Sequence, residues 1–430
     1  MKFTGKNQIN QRIERMTPQD LIVGIDIAKE VHVAAATNFR GVQQGSVCSF
    51  TNDEAGFKKL IHWVKKLERS TDLCHETIFG MEPTGHYGMS LASWLDQQGY
   101  SVMLVNPMTT KRNKENRDNR QSKHDAKDAV VIADVVCRGY YSPILWQDMT
   151  YRKLRCAVTE REALAIDATR LGNQIQKVID QLFPEFYQVF KEWNGVRALA
   201  TLQVFPAPSD ILENDIDTMI EKWRHAGMKR CGGNEGRTYA SRLLSAAKRS
   251  IGLCDIEQEL KRNMSRLLTR YMELMELIKE VEQEIDDLLA ELPEAALRPM
   301  QELGLSPLYT AVILANTGGL DRFVHGQQVI AHAGLSLRTN SSGKKNGQVS
   351  LEKRGRRQLR KYLYLATLGL VTNHSAFKAW HHHNVQVKKM KKQRSIFKLI
   401  GKLARILVSL AHSGESFQME RTSAIAPQVA

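Results

Sequence analysis

From Leu260 to Leu292 the apolar residues fall at alternating steps of four and three: Leu260, Met264, Leu267, Tyr271, Leu274, Ile278, Val281, Ile285, Leu288 and Leu292. A period of about 3.5 residues held over several heptads specifies a long helix with a single apolar seam. Such a seam needs a partner, either the helical stretch at 151–190 or a second subunit. Pro293 closes the run, because its ring cannot be housed in a helix interior. A coiled coil therefore occupies the middle of the chain.

On the N-terminal side the period changes. LIVGIDIAKEVHVAAATN (21–38) reads as an apolar strand, a Lys-Glu turn and a second strand, and GVQQGSVCSFTN (41–52) as a third. DEAGFKKLIHWVKKLE follows with Phe57, Leu60, Ile61, Val64 and Leu67 on one face of a helix. Then come a strand ending in IFGME, a helix over 86–98, the buried strand SVMLVNP, and a helix from about His124 to Cys137. A meander of strands that passes into strand-helix alternation predicts a mixed sheet. That is the element order of an α/β domain of the ribonuclease H fold, over 1–148. The expected organisation beyond it is an α-helical coiled-coil region at 149–295, a mainly α-helical C-terminal domain at 296–415 and a disordered tail at 416–430. The coil carries a less regular insert at about 192–250, whose KRCGGNEGR turn is too rich in glycine for a helix interior.

Charge narrows the function. The chain carries 61 Lys and Arg against 46 Asp and Glu, a net +15. Between Ser341 and Arg405 there are 17 Lys or Arg and one acid, Glu352, so this stretch alone outweighs the net charge of the whole. A one-sign block of that size repels itself and is relieved by a polyanion, most simply nucleic acid. Lys344, Lys345, Arg354, Arg356, Arg357, Arg360 and Lys361 are the phosphate-contact candidates within it. Six cysteines with no CxxC pair predict reduced thiols in a cytoplasm. MKFTGKNQINQRIERM lacks the apolar core of a signal peptide, and no apolar run reaches membrane-spanning length. The HHHN stretch at 381–384 is expected to be a polar loop, since adjacent histidines do not easily share one metal geometry.

Four carboxylates stand out against this background. Asp26 interrupts an apolar strand, where an unpaired carboxylate is costly, and Glu82 ends another at GMEPTGHY. In KHDAKDA the spacing of Asp125 and Asp128 puts both on one helical face, flanked by Lys123 and Lys127. Taken singly, each has an ordinary structural reading. Arriving from a first strand, a later strand end and the last helix of one domain, they can converge on a hard divalent cation, Mg2+ or Mn2+, of the kind phosphoryl transfer uses. The two lysines would then border a phosphate-bearing substrate.

The segments GIDIAK, MEPTGHY, NP and KHDAKDA, followed by the coil, AGL, a Ser-Gly loop and RQLRKYLY, are similar in order and spacing to the DEDD transposases of insertion-sequence family one-ten. These are bridge-RNA-guided serine recombinases, with the Piv invertases as relatives. The resemblance implies that Asp26, Glu82, Asp125 and Asp128 bind Mg2+, and that a serine before a glycine in AGLSLRTNSSGKK is the nucleophile. That serine is Ser342, with Ser341 as the competitor if the loop shifts by one residue. It further implies donor and target DNA and a bridge-type non-coding RNA as partners, and dimers that pair into a tetramer. The LGLSP segment at 303–307 and Leu337 depart from the family pattern. Two rival functions stay open: a RuvC-like junction nuclease that uses water, and a non-catalytic nucleic-acid-binding protein.

Overall fold

The computed structural model describes residues 4–71, 73, 75–83, 85–117, 125–144, 146–229, 231–338 and 350–417. The chain divides into two compact units, 1–146 and 147–430.

In the first unit the elements are α1 (Thr4–Glu14), β1 (Leu21–Asp26), β2 (Val31–Thr37), β3 (Gln43–Thr51), α2 (Glu54–Thr71), β4 (Thr77–Met81), α3 (Tyr87–Gln97), β5 (Ser101–Val105), α4 (Pro107–Arg117), α5 (Asp125–Cys137) and β6 (Tyr141–Pro143). The six strands form one sheet in the order β3-β2-β1-β4-β5-β6. β1, β4 and β5 run parallel, while β2, β3 and β6 join antiparallel. This is a mixed α/β domain with the RuvC-like arrangement. Strand alternation divides its core in two. Leu21, Val23, Ile25, Phe79 and Met81 face the side covered by α2, whose Phe57, Leu60, Val64 and Leu67 are buried. Ile22, Ile78, Met103 and Val105 face the side covered by α5.

The second unit is helical. It begins with α6 (Met149–Leu182), α7 (Phe186–Val189), α8 (Val196–Val204), α9 (Pro208–Leu212), α10 (Ile216–His225), α11 (Gly233–Ala247) and α12 (Glu257–Ala290). It continues with α13 (Glu294–Gln301), α14 (Pro307–Thr317), α15 (Gly326–His332), the short pair β7 (Leu337–Arg338) and β8 (Ser350–Leu351), α16 (Arg357–Asn373), α17 (Ser375–His382) and α18 (Lys392–Ser413). Among the described residues no helix is long and apolar enough to cross a membrane.

The partner of the heptad seam lies in the same chain. α6 and α12 pack antiparallel: Thr150 reaches Glu291, Arg161 donates twice to Glu282 at 2.9 and 2.6 Å, and Leu253 N donates to Gln181 O at 2.9 Å. The pair does not stand apart as a discrete coil. Its outer half, Ala168–Leu182 with Leu260–Ile278, shares a core with Phe186 of α7 and with Phe205, Trp223 and Leu243 of the insert. Its inner half, Leu154–Val158 with Val281–Leu292, shares another with α14, α16 and α18. The insert is itself helical. α11 starts inside the Gly-rich turn, where Gly232 is the N-cap and Gly236 lies in the first turns. A side chain at Gly236 would sit 1.7 Å from Cys231 O, so glycine serves close packing there rather than ending a helix.

Two further expectations change. HHHN is not a loop: it spans the end of α17 and a π-helical turn at His383–Val387, with His381 Nδ1 and Asn384 Nδ2 both on Ser395 Oγ at 3.0 and 3.1 Å. Residues 416 and 417, read as tail, are held: Phe417 N donates to Glu302 at 3.3 Å and its ring meets His374 edge-on at 5.5 Å. Residues 418–430 lie outside the described residues.

Candidate functional site

The acidic cluster is built by alternation along two parallel neighbours. On β1, Ile22, Gly24 and Asp26 share a face, and the register pairs Ile22 with Ile78, Gly24 with Gly80, and Ile25 with Met81. Ile22 and Ile78 both pack under α5, so Asp26 emerges on that side at the strand end. Glu82 follows Met81 and leaves the adjacent strand at the same level.

The two glycines allow the helix to approach. A Cβ on Gly24 would lie 2.1 Å from Ala129 O and 2.5 Å from Ala133 N, and one on Gly80 would lie 2.5 Å from Val136 Cγ2. α5 is thereby pressed onto the sheet with its first turn, which carries Asp125 and Asp128, beyond the glycine level and toward the strand ends. Asp128 is adjacent to Ala129, so its position is fixed by that contact. The electrostatics report the same convergence. Burial raises the Asp26 carboxyl, the charges of Asp128, Asp125 and Glu82 raise it further, and together they push it up to about 6.

Lys114 of α4 opposes that shift. Its Nζ pairs with Asp128 Oδ1 at 2.5 Å. α4 is held against α5 by Asn113, whose Nδ2 donates to the buried Asp134 at 2.6 Å, and Asp134 also pairs with Arg138 at 3.1 Å. Sequence reading passed over α4 because PMTTKRNKENR has no apolar stripe. The available signal was Asn106-Pro107, in which Asn106 accepts from Met108 N at 2.9 Å and proline opens the helix. The glycines at 24 and 80 were also missed, although an isolated glycine inside a strand marks a close approach.

The donor chemistry suits a hard cation: four carboxylates share one neighbourhood, and burial first and then the other three acids hold Asp26 back from ionising. Among the described residues, no group of three or more His, Cys, Asp or Glu side chains has the geometry to hold a metal ion. The acids are gathered without forming a closed cage, and Lys114 supplies positive charge between them. Lys127 lies in the first turn of α5, while Lys123 lies outside the described residues.

In the second unit Ser341, Ser342, Lys344 and Lys345 fall within 339–349, outside the described residues. The chain enters and leaves that stretch through the paired strands β7 and β8, with Leu337 opposite Leu351 and Arg338 opposite Ser350. Of the basic candidates, Arg354 and Arg357 are exposed and Arg356 is half-buried. Arg360 is committed to the fold, donating to Ala333 O at 2.8 Å, and Lys361 pairs with Glu162 of α6 at 2.5 Å.

Comparison with known proteins bears on both units. A transposase family model of the DEDD, IS110 type matches residues 23–184, a span that contains all four acids. A second model, described as the transposase IS116/IS110/IS902 family, matches residues 300–382. The 44.8 kDa protein of insertion element IS116 from Streptomyces clavuligerus is 25% identical over 352 residues, 80% of this chain and 83% of that one.

The chain is an IS110/IS116-like transposase family member.

Pilin gene-inverting proteins of Moraxella lacunata and Moraxella bovis are each 31% identical over 142 residues, 33% of this chain and 41% of theirs. Membership of the IS110/IS116-like family supports, at the level of the family, an enzyme that recombines DNA. It also gives the positions of the four acids a common context, since the first model runs through the strand ends and α5 alike.

Proposed function

We propose that this family member is an RNA-guided DNA recombinase that cuts and rejoins donor and target DNA through a covalent phosphoserine. The observation that carries the reading is the gathering of Glu82, Asp125 and Asp128 around Asp26 at the strand ends of a RuvC-like sheet. Asp26, Glu82, Asp125 and Asp128 would hold Mg2+, or Mn2+ in its place. Such an ion supplies charge neutralisation at the phosphate and lowers the pKa of an attacking hydroxyl. Lys114 would give up Asp128 to it, and Lys123 and Lys127 would border the phosphate.

Ser342 is the proposed nucleophile. Its oxygen forms a bond to phosphorus as the bond to one sugar oxygen breaks, and that oxygen leaves with the proton as a free hydroxyl. The reverse attack by a hydroxyl of the other DNA partner releases the serine and rejoins the strand. The phosphodiester energy is conserved in the protein-DNA bond, so no nucleotide triphosphate is needed. Sequence specificity is assigned to base pairing with a bridge-type RNA, and the basic C-terminal block to backbone contacts. A homodimer, pairing into a tetramer around the DNA, completes the proposed assembly.

The test is a denaturing gel of labelled donor and target DNA incubated with the protein, Mg2+ and RNA transcribed from the element's flanks. The expected result is a protein-linked DNA band that disappears in Ser342→Ala and Asp125→Ala and persists in Ser341→Ala. Free cut ends that survive Ser342→Ala would replace this reading with a nuclease that uses water. Binding without cleavage in any metal would reduce the protein to a nucleic-acid-binding one.

A further inference from the structure

Beside the β7–β8 pair the second unit concentrates positive charge from three separate elements. Arg356 precedes α16, and its backbone N donates to His332 O of α15 at 2.8 Å. His332 Nε2 meets Asn316 O of α14 at 3.0 Å, and Asn316 Nδ2 donates to Gln358 Oε1 at 2.9 Å. Gln358 in turn donates to Val158 O of α6 at 3.0 Å, one helical turn from Arg155. Arg322 enters from the segment after α14, its Nη1 2.8 Å from where a Cβ of Gly318 would stand. The backbone is tightly drawn together here: a Cβ on Gly355 would fall 2.3 Å from Gly334 N and 2.6 Å from His332 O.

None of the three guanidiniums takes part in an ion pair among the described residues, although ion pairs are formed nearby by Arg161 and Lys361. Burial raises the Tyr151 hydroxyl, Asp321 and Asp148 raise it further, and Arg322 opposes them, so Asp321 is the acid close to this arginine although the two form no ion pair. Arg356 Nη1 is buried with no hydrogen-bond partner. A buried, unpartnered donor on a cationic group is expensive to maintain unless a ligand completes it.

We propose that Arg155, Arg322 and Arg356 form an anion cradle, seated on the Asn316-His332-Gln358 network, that takes a phosphodiester of the nucleic-acid backbone. Guanidinium forks match the oxygens of a phosphate in pairs, and arginine tolerates partial burial better than lysine does. One anion also relieves the repulsion that now acts within the group. Burial and Arg155 together push Arg356 down to about 10. Burial and the same arginines hold His332 below the ordinary histidine range, so it scaffolds the cradle as a neutral ring. The cradle stands at the base of the β7–β8 pair, where Lys353 N and Arg356 N donate to Gly334 O and His332 O. The identity of the anion rests on the proposed DNA recombination; the cradle itself does not.

The experiment uses the full chain and inorganic sulfate as the probe, at constant ionic strength against chloride, reading the rise in Tm. Wild type is expected to be stabilised, with roughly tenfold weaker apparent sulfate affinity in Arg155→Gln and in Arg322→Gln, both of them exposed positions. Arg394→Gln, exposed on α18, should keep the full response. Without sulfate, Arg356→Gln should melt no lower than wild type, because it removes a repelled, half-buried charge. An unchanged sulfate response in Arg155→Gln and Arg322→Gln overturns the cradle, as does an equal loss in Arg394→Gln. A cradle confirmed in this way in a protein that never cleaves DNA would sink the recombinase reading and leave the anion site standing.

Discussion

Gly24 stands directly opposite Gly80 in the parallel register of β1 and β4, and two residues beyond each glycine comes an acid, Asp26 and Glu82. The absence of two side chains at one level of the sheet sets the distance between α5 and the carboxylates at the next. Packing and chemistry are coupled through that step.

Gly24→Ala tests the coupling. The new methyl meets backbone atoms of Ala129 and Ala133, which cannot rotate away, so α5 must shift. Overpacking of this kind destabilises by about 1–3 kcal/mol or more, and DNA cleavage should fall further than stability alone explains. Gly369→Ala, with no heavy atom within 4 Å of its Cβ, should be neutral or stabilising by about 0.5–1 kcal/mol. Thermal melts and cleavage rates on both variants decide it; equal effects would remove the argument.

Asp26 predicts a pH signature in metal-free protein. Its carboxyl is pushed up to about 6 in the folded chain, by burial first and then by the neighbouring acids, against 3.8 for an unperturbed aspartate. The folded state therefore binds the proton more tightly, and this contribution to stability is fully present below pH 3.8 and lost as pH rises through about 6. At pH 7 Asp26→Asn should be the more stable protein, by about 1 kcal/mol once solvent screening at this half-exposed group is discounted. Added Mg2+ should raise the Tm of wild type and leave that of Asp26→Asn nearly unchanged. Chemical denaturation at pH 4 and pH 7, with and without Mg2+, reads both effects; a wild type stabilised by the change from pH 4 to 7 through this residue would contradict the assignment.

Salt dependence separates the basic residues by role. Arg354→Gln and Arg357→Gln, at exposed positions, should each lower the slope of log affinity for DNA against log salt by about one, with the Tm unchanged. Arg360→Gln should lower the Tm instead, because its guanidinium donates to Ala333 O. If all three variants change slope alike, Arg360 is a phosphate contact after all.

The α6–α12 pairing predicts unequal tolerance along one helix. Ile285, 1% exposed in the inner core, should lose about 2–5 kcal/mol on replacement by alanine. Leu277, 45% exposed on the outer face of the same helix, should change by less than about 0.5 kcal/mol. Equilibrium unfolding of the two variants checks this.

The parts of the fold legible in the sequence were those in which one residue type repeats with a period. The meander, α2 and the heptad seam each carry a clean period of two or near 3.6, and each lies where that pattern places it. The acids were legible because Asp26 breaks an apolar strand. α4 and the insert were not, for different reasons: α4 packs by Asn113 and Lys114 rather than by an apolar stripe, and α8–α10 are too short to establish a period. The seam gave its helix but not its surroundings, because a heptad pattern reports only that one face is buried. The cationic cradle was half legible: Arg356 lies in the basic block, but Arg155 and Arg322 reach it from elements far away in sequence.

Each long helix of the α6–α12 pair has 34 residues, about 50 Å of rod at 1.5 Å per residue. One end is clamped in the core of the insert and the other in the core beneath α14 and α16. The pair is therefore a spacer with a socket at each end: it fixes how far apart the two cores of this unit stand.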